Sequence, residues 1–296
     1  MLRQFGLIGH GVVGSLFARL LRERGASVMS YDLRLDLEAT AETMRQRILA
    51  DGGEAGTFEE VVRESQSVLA VTPPQACREV AARASGFLRA GQVYCDLAST
   101  SPGIKREMAT QVNATGAQFV EGVILGAVGA LPVSPEILLA GAAGATTAAA
   151  LQQYGLRARF YWREIGLASA FKLIRSVFSK GMETLLIETL LAARRAGLFD
   201  DVWREIRTTL AQDGVERMLE TWIRSHAVSS ERRYCEMCEV GRFLEDLGVE
   251  PILTRAAAGL LRRSNEVGLA ARFTREPERF ADVIEVLDRA LSEARK

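Results

Sequence analysis

Residues 5–15 read Phe-Gly-Leu-Ile-Gly-His-Gly-Val-Val-Gly-Ser, and no other stretch limits the fold so tightly. An apolar run (Phe5, Leu7, Ile8) stops at Gly9, and an amphipathic segment follows from Ser15 to Arg24. Between them stand Gly9, Gly11 and Gly14, at G-x-G-x-x-G spacing. That order predicts strand, tight turn, helix. Gly9 permits the reversal, Gly11 removes the Cβ that would block a diphosphate, and Gly14 lets the helix lie close to the strand. Unpaired N–H groups and the dipole at the helix start favour an anion there. A second apolar strand, Ser27–Tyr31, ends in Asp32, 23 residues after Gly9. This is where an acid meets the adenosine ribose hydroxyls of a dinucleotide. We therefore read Gly9, His10, Gly11, Val12, Val13, Gly14 and Asp32 as cofactor-binding. A carboxylate at this place favours NAD, and Arg34, two residues on, keeps NADP open. The alternative is a structural turn followed by a surface aspartate.

To about Phe160 the chain alternates short apolar strands with helical segments, the pattern of a mostly parallel sheet covered by helices. Strands are expected at Gln4–Ile8, Ser27–Tyr31, Ser67–Val71, Val93–Asp96, Gln118–Val120, Glu136–Ala140 and Arg159–Trp162. Ligands of such sheets bind at the carboxyl ends of the strands. Three loops on that rim matter. Thr72-Pro73-Pro74 is a rigid turn that can carry a nicotinamide ring, and the prolines also suit a helix start. Residues 96–102 (Asp-Leu-Ala-Ser-Thr-Ser-Pro) offer hydroxyls, Ser99 and Thr100 among them, either to cap the next helix or to face a substrate. The segment 121–131 is dense in glycine (Gly122, Gly126, Gly129), suited to backbone that approaches a ligand or to a tight packing turn.

From Arg163 strand signals vanish. Ala168–Ala196 reads as one long helix stopped by Gly197, and further helices are expected at Asp201–Ala211, Val215–Ser225, Ser230–Leu247, Pro251–Val267 and Pro277–Ala294. The fold class is α/β: a Rossmann-type doubly wound sheet over residues 1–162 and an all-α domain over 163–296. A chain of 296 residues is long enough for both. Unpartnered apolar helix faces in the second domain point to a homodimer.

The formal net charge of zero gives no reason to expect nucleic acid or an anionic membrane as partner. No apolar run approaches the roughly 18 residues of a membrane span. The first strand starts close to Met1, leaving no room for a signal peptide. The expected compartment is the cytoplasm. Cys235 and Cys238 form a C-x-x-C, but in a helical stretch without a second ligand pair, so no metal is expected.

Of 37 basic residues only four are lysines: Lys105, Lys172, Lys180 and Lys296. Lys172 emerges from apolar neighbours, Phe171, Leu173 and Ile174, at the domain junction. A partly desolvated ammonium exchanges protons near neutral pH and a guanidinium does not. Acid–base work is one reading of a lysine in this arginine-rich chain; an interfacial lysine reaching for water is the other.

These residues resemble the β-hydroxyacid dehydrogenase superfamily, which includes 3-hydroxyisobutyrate dehydrogenase and the cofactor domain of 6-phosphogluconate dehydrogenase. The glycine turn, residues 96–102 (family D-x-S-T-x-x-P) and residues 166–176 (family G-x-G-x-x-x-K-x-x-N-N) carry the likeness. It implies that Lys172 is the catalytic lysine of an NAD(P)-dependent oxidoreductase acting on a small hydroxy acid or alcohol or its carbonyl partner. Ser176 then orients the lysine or substrate, and Ser99, Thr100 and Gly126 bind substrate. The departures are Ala98 at the substrate-serine position, Leu125 where a carboxylate-binding serine is usual, and Arg175-Ser176 for the paired asparagines. They leave the cofactor site intact and open the substrate: an imine reductase-like enzyme fits an apolar cleft, and a non-catalytic cofactor sensor would not need Lys172. The second half is similar to a branch with a His-Ala…Arg-Arg…Glu-Met signature, here His226-Ala227, Arg232-Arg233 and Glu236-Met237. In related enzymes that domain dimerises and sends groups into the cleft. By that likeness His226 and Arg232 are candidates for an anionic substrate, or else a cap and solvated charge.

Overall fold

The computed structural model describes residues 3–126, 135–211 and 214–293. Two compact units divide at Val177 and Phe178.

In the first unit, β1 (Gln4–Ile8), α1 (Val12–Glu23), β2 (Ser27–Tyr31), α2 (Glu38–Ala50), β3 (Glu54–Ala55), α3 (Phe58–Glu64), β4 (Ser67–Ala70), α4 (Cys77–Ser85), β5 (Val93–Asp96), α5 (Pro102–Asn113), β6 (Gln118–Leu125), β7 (Glu136–Ala140), α6 (Gly144–Gln153) and β8 (Ala158–Trp162) follow in order. The strands form one sheet, β3-β2-β1-β4-β5-β6-β7-β8, parallel except where β6 meets β7. Consecutive residues face opposite sides: Leu7 packs with Phe17, Leu21 and Leu69, whereas Ile8 packs with Tyr31, Phe58 and Val68. Both faces are buried, which is why these strands read as apolar runs rather than alternations. The chain leaves β1 toward β2 on one side and returns to β4 on the other. The switch point therefore opens between the ends of β1 and β4, at Gly9 and Val71.

The expected fold holds, with three local corrections. The strand expected at Gln118–Val120 continues to Leu125, so Glu121, Gly122 and Leu125 are strand residues, not loop. Gly122 is there for space: a Cβ on it would lie 2.5 Å from Leu97 Cδ2. The two-residue β3 pairs only with β2 and is too short to show a period. Gly129, in the third rim loop, lies outside the described residues.

The long helix α7 (Leu167–Arg195) begins in the first unit, where Ala168 packs with Val123, Leu138 and Ala140. The second unit contains α8 (Phe199–Ala211), α9 (Val215–Asp246), α10 (Ile252–Glu266) and α11 (Phe280–Glu293). The two helices expected at Val215–Ser225 and Ser230–Leu247 are one. Ser225 turns its hydroxyl back to the Thr221 carbonyl (2.7 Å), and Ala227 is buried with Leu269 and Val283, so the serines around 225–230 do not break the helix. Cys235 and Cys238 lie in α9 as free thiols. Among the described residues no helix is long and apolar enough to cross a membrane.

Candidate active site

A cavity of about 730 Å³ opens over the switch point, lined by the glycine turn, Asp32, Thr72-Pro73-Pro74 and the residues after β5. The turn has little freedom. Gly9 has φ +95°, and a Cβ on it would lie 2.4 Å from the Val71 carbonyl oxygen. A Cβ on Gly14 would lie 2.2 Å from the Gly9 carbonyl oxygen. Gly11 faces open space, so a side chain there would occupy the cavity itself. α1 follows Gly11 with no side-chain cap and no acidic residue in its first turn, whereas α3 carries a full Thr57–Glu60 capping box. The first N–H groups of α1, at Val12, Val13 and Gly14, are thus left for an anion. The Thr72 hydroxyl is buried with no partner, a polar atom set against the cavity wall. These features fit a dinucleotide.

Asp32 stands at the end of β2. Its Oδ2 accepts the His10 N–H (2.8 Å), and Arg34 clasps it from the other side through Nε (2.7 Å to Oδ1) and Nη2 (2.9 Å to Oδ2). Burial pushes its pKa up, but the bonds from Arg34 and His10 outweigh this and hold it at about 2. Arg34 already bonds both carboxylate oxygens, so it must move for Asp32 to take two ribose hydroxyls.

His10 contributes its backbone here, not its ring. The imidazole is fully buried, with Nδ1 3.2 Å from Ser30 Oγ and Nε2 2.9 Å from Asp51 Oδ2, and Asp51 also binds Arg19 (2.8 Å). Burial lowers the His10 pKa against the pull of Asp51. A histidine that resists protonation when folded costs stability as pH falls below its unfolded value near 6.5. His226 is likewise lowered, by burial and then by Arg233. We expect thermal stability to fall between about pH 7 and pH 5, and His10→Gln and His226→Gln each to flatten part of that slope in melting scans. An unchanged slope in both variants would remove the histidines from the account.

The cavity's apolar wall was not legible in the sequence. Tyr31 and Phe58 come from separate elements, and the Arg83 guanidinium lies 4.1 Å from the Phe58 ring centroid. Leu97, Ala98, Ser99 and Ile124 line another part. Ser101 supplies the α5 cap, accepting the Ile104 N–H, while Ser99 is exposed at the cavity and Thr100 is buried. Gly126 closes β6 at φ +90° with open space beside it.

Lys172 is half-buried on α7, and its pKa is lowered by burial and then by the charge of Lys105. Ser176, one turn on, donates its hydroxyl proton to the Lys172 carbonyl (2.8 Å), leaving only its lone pairs for another group. In the second unit His226 Nε2 lies 3.0 Å from Ser264 Oγ, and exposed Arg232 pairs with Glu236 along α9.

Residues 4–157 match the family described as the NAD binding domain of 6-phosphogluconate dehydrogenase, and residues 193–264 match a domain of unknown function, DUF1932. The conserved protein MTH1747, of unknown function and described as structurally similar to 3-hydroxyacid dehydrogenases, is 29% identical. The match covers 90% of this chain and 98% of that one, with a TM-score of 0.58. A conserved hypothetical protein from Sinorhizobium meliloti 1021 is 26% identical over 98% of this chain and 97% of its own, with a TM-score of 0.60. The imine reductase from Myxococcus stipitatus, solved with NADP+, superposes with a TM-score of 0.77 over 97% of this chain and 99% of its own. At 18% identity that likeness concerns the fold.

Proposed function

The chain belongs to the family of the NAD binding domain of 6-phosphogluconate dehydrogenase and is an NAD(P)-dependent oxidoreductase, and we propose that it moves hydride between nicotinamide and a small polar hydroxy acid or alcohol, or its carbonyl partner. The observation that carries this reading is the cavity that gathers the glycine turn, Asp32, Thr72-Pro73-Pro74 and Ser99, with Lys172 half-buried on α7, whose first turn packs on the same sheet. The glycine turn, Asp32 and Thr72-Pro73-Pro74 would hold the dinucleotide, which would supply the hydride chemistry. In oxidation the Lys172 amine takes the hydroxyl proton, leaving a carbonyl and an ammonium; in reduction it returns that proton. Ser176 orients the amine or the substrate, Thr72-Pro73-Pro74 carry the ring, and Ser99, Thr100 and Gly126 meet the substrate. Asp32 favours NAD over NADP. The test is absorbance of reduced cofactor against a panel of hydroxy acids, alcohols and their carbonyl partners. Absence of turnover on the whole panel, with dinucleotide bound, would remove this substrate class.

Imine reduction is a second reading, favoured by buried Ala98 and by Leu97 and Ile124 on the same cavity wall, which offer an apolar surface to a cationic iminium. Cyclic imines in the same panel separate the two.

We further propose a homodimer working in the cytoplasm, where its four free cysteines stay reduced. Ile174, Val177 and Phe178, at i, i+3 and i+4 on one face of α7, are each more than half exposed, an apolar patch of the kind that marks an interface. Light scattering at micromolar concentration should give twice the mass of 32.4 kDa. A monomer refutes the assembly.

A further inference from the structure

Glu121 stands outside the chemistry above, yet it is fully buried on β6, and a carboxylate in such a place is costly unless its oxygens are bonded. Oε2 accepts the Gly166 N–H (2.5 Å) and Oε1 the Ser169 N–H (2.6 Å). These are the residue before α7 and the third residue within it. α7 has no acidic residue in its own first turn, so a strand side chain does the capping. The same junction is held from α5. Gly166 has φ +105°, and a Cβ on it would lie 3.0 Å from the Arg106 guanidinium and 3.1 Å from Pro102. α5 is anchored in turn by Lys105, whose Nζ donates to Asp96 Oδ2 (2.5 Å), to the Asp96 carbonyl (2.9 Å) and toward the Gly122 carbonyl (3.4 Å). One buried polar chain therefore runs from the end of β5 through α5 and β6 to the first turn of α7.

We propose that Glu121 is a positioning residue for Lys172, pinning the first turn of α7 and so setting how deeply the amine is held. The inference rests on the reading of Lys172 as proton carrier, although its test needs no turnover. Lys172 is the sixth residue of α7, and helical side chains lean toward the N-terminus, over the turn that Glu121 holds. If that turn loosens, water reaches the amine and the burial that favours its neutral form is lost. Of the charged groups on the packed elements, Lys105 acts on the amine, while Asp96 and Glu121 are engaged with Lys105 and the α7 backbone.

The four lysines make a direct measurement practical. Reductive ¹³C-methylation followed by NMR titration resolves them, and Lys172→Arg assigns the signal. Glu121→Gln keeps the shape but turns an amide NH₂ toward one of two N–H donors, and Glu121→Asp keeps the charge on a shorter arm. The Lys172 midpoint should rise by about one pH unit in Glu121→Gln, a tenfold loss of neutral amine at a given pH, with Glu121→Asp between it and the parent. The Lys180 signal, from an exposed side chain paired with Glu183, should stay in place. A Glu121 that only stabilises the fold lowers the melting temperature of either variant and leaves the Lys172 midpoint unmoved; that result overturns the proposal. Should the Gln variant fail to fold, the Asp variant alone decides. Retained activity in Lys172→Arg would instead sink the proton-carrier reading, a separate result.

Discussion

Lys172→Ala should lower turnover by about 10²–10⁴-fold, the usual worth of a positioned proton-transfer group, while dinucleotide affinity stays near that of the parent. The separation is structural: the glycine turn and Asp32, the proposed nucleotide site, belong to β1, α1 and β2, and Lys172 belongs to α7. Lys172→Arg keeps a positive charge but cannot release it near neutral pH, so it should be nearly as poor. The pH profile carries the sign. Burial and Lys105 lower the Lys172 pKa, so oxidation should rise with pH and level off below the 10.5 of an ordinary lysine, whereas reduction should fall over the same range. Both limbs should vanish in the alanine variant. An arginine variant that retains most of the rate near pH 7 would show that Lys172 is not the proton carrier.

Asp32→Asn should weaken NAD binding by about 10- to 100-fold, since charge-assisted bonds contribute about 1.5–3 kcal/mol each. The amide oxygen of the variant side chain still accepts the His10 N–H, so the turn keeps its shape and the loss reports the ribose contact. The same change removes the charge that repels a 2′-phosphate and leaves Arg34 free to meet it, so NADP should bind no worse and the preference should narrow or reverse. Arg34→Ala should act in the opposite sense: the carboxylate is released from its clasp, NAD binds at least as well, and NADP loses its cation. Because Asp32 titrates at about 2, the loss of NAD affinity in Asp32→Asn should not vary with pH across the neutral range. Calorimetric titration of both cofactors into three proteins settles it. Tighter NADP than NAD binding by the parent would overturn the assignment of Asp32 as the selecting group.

The His10 ring and Glu121 show where local reading stops. His10 sits between two glycines, and its place in the turn is plain, but its ring points away from the cavity to Asp51, a partner 41 residues on. Arg34 is visible as a neighbour of Asp32; that it bonds both oxygens depends on the turn after β2. Glu121 reads as a loop residue because glycines follow it, and its isolation as an acid within the run Phe119–Leu125 is the one sign of a buried role. What the amino-acid order determined by itself was local: the glycine turn, the apolar runs buried on both sheet faces, the helical periodicity beyond Arg163, and a lysine placed where arginine is the habit. What only the tertiary structure decided was which of those pieces meet. The register that sets Asp96 beside Glu121, and the packing that brings Gly166 under that carboxylate, join residues far apart in the chain. Such contacts are set by strand order and helix docking, and no window of sequence carries them.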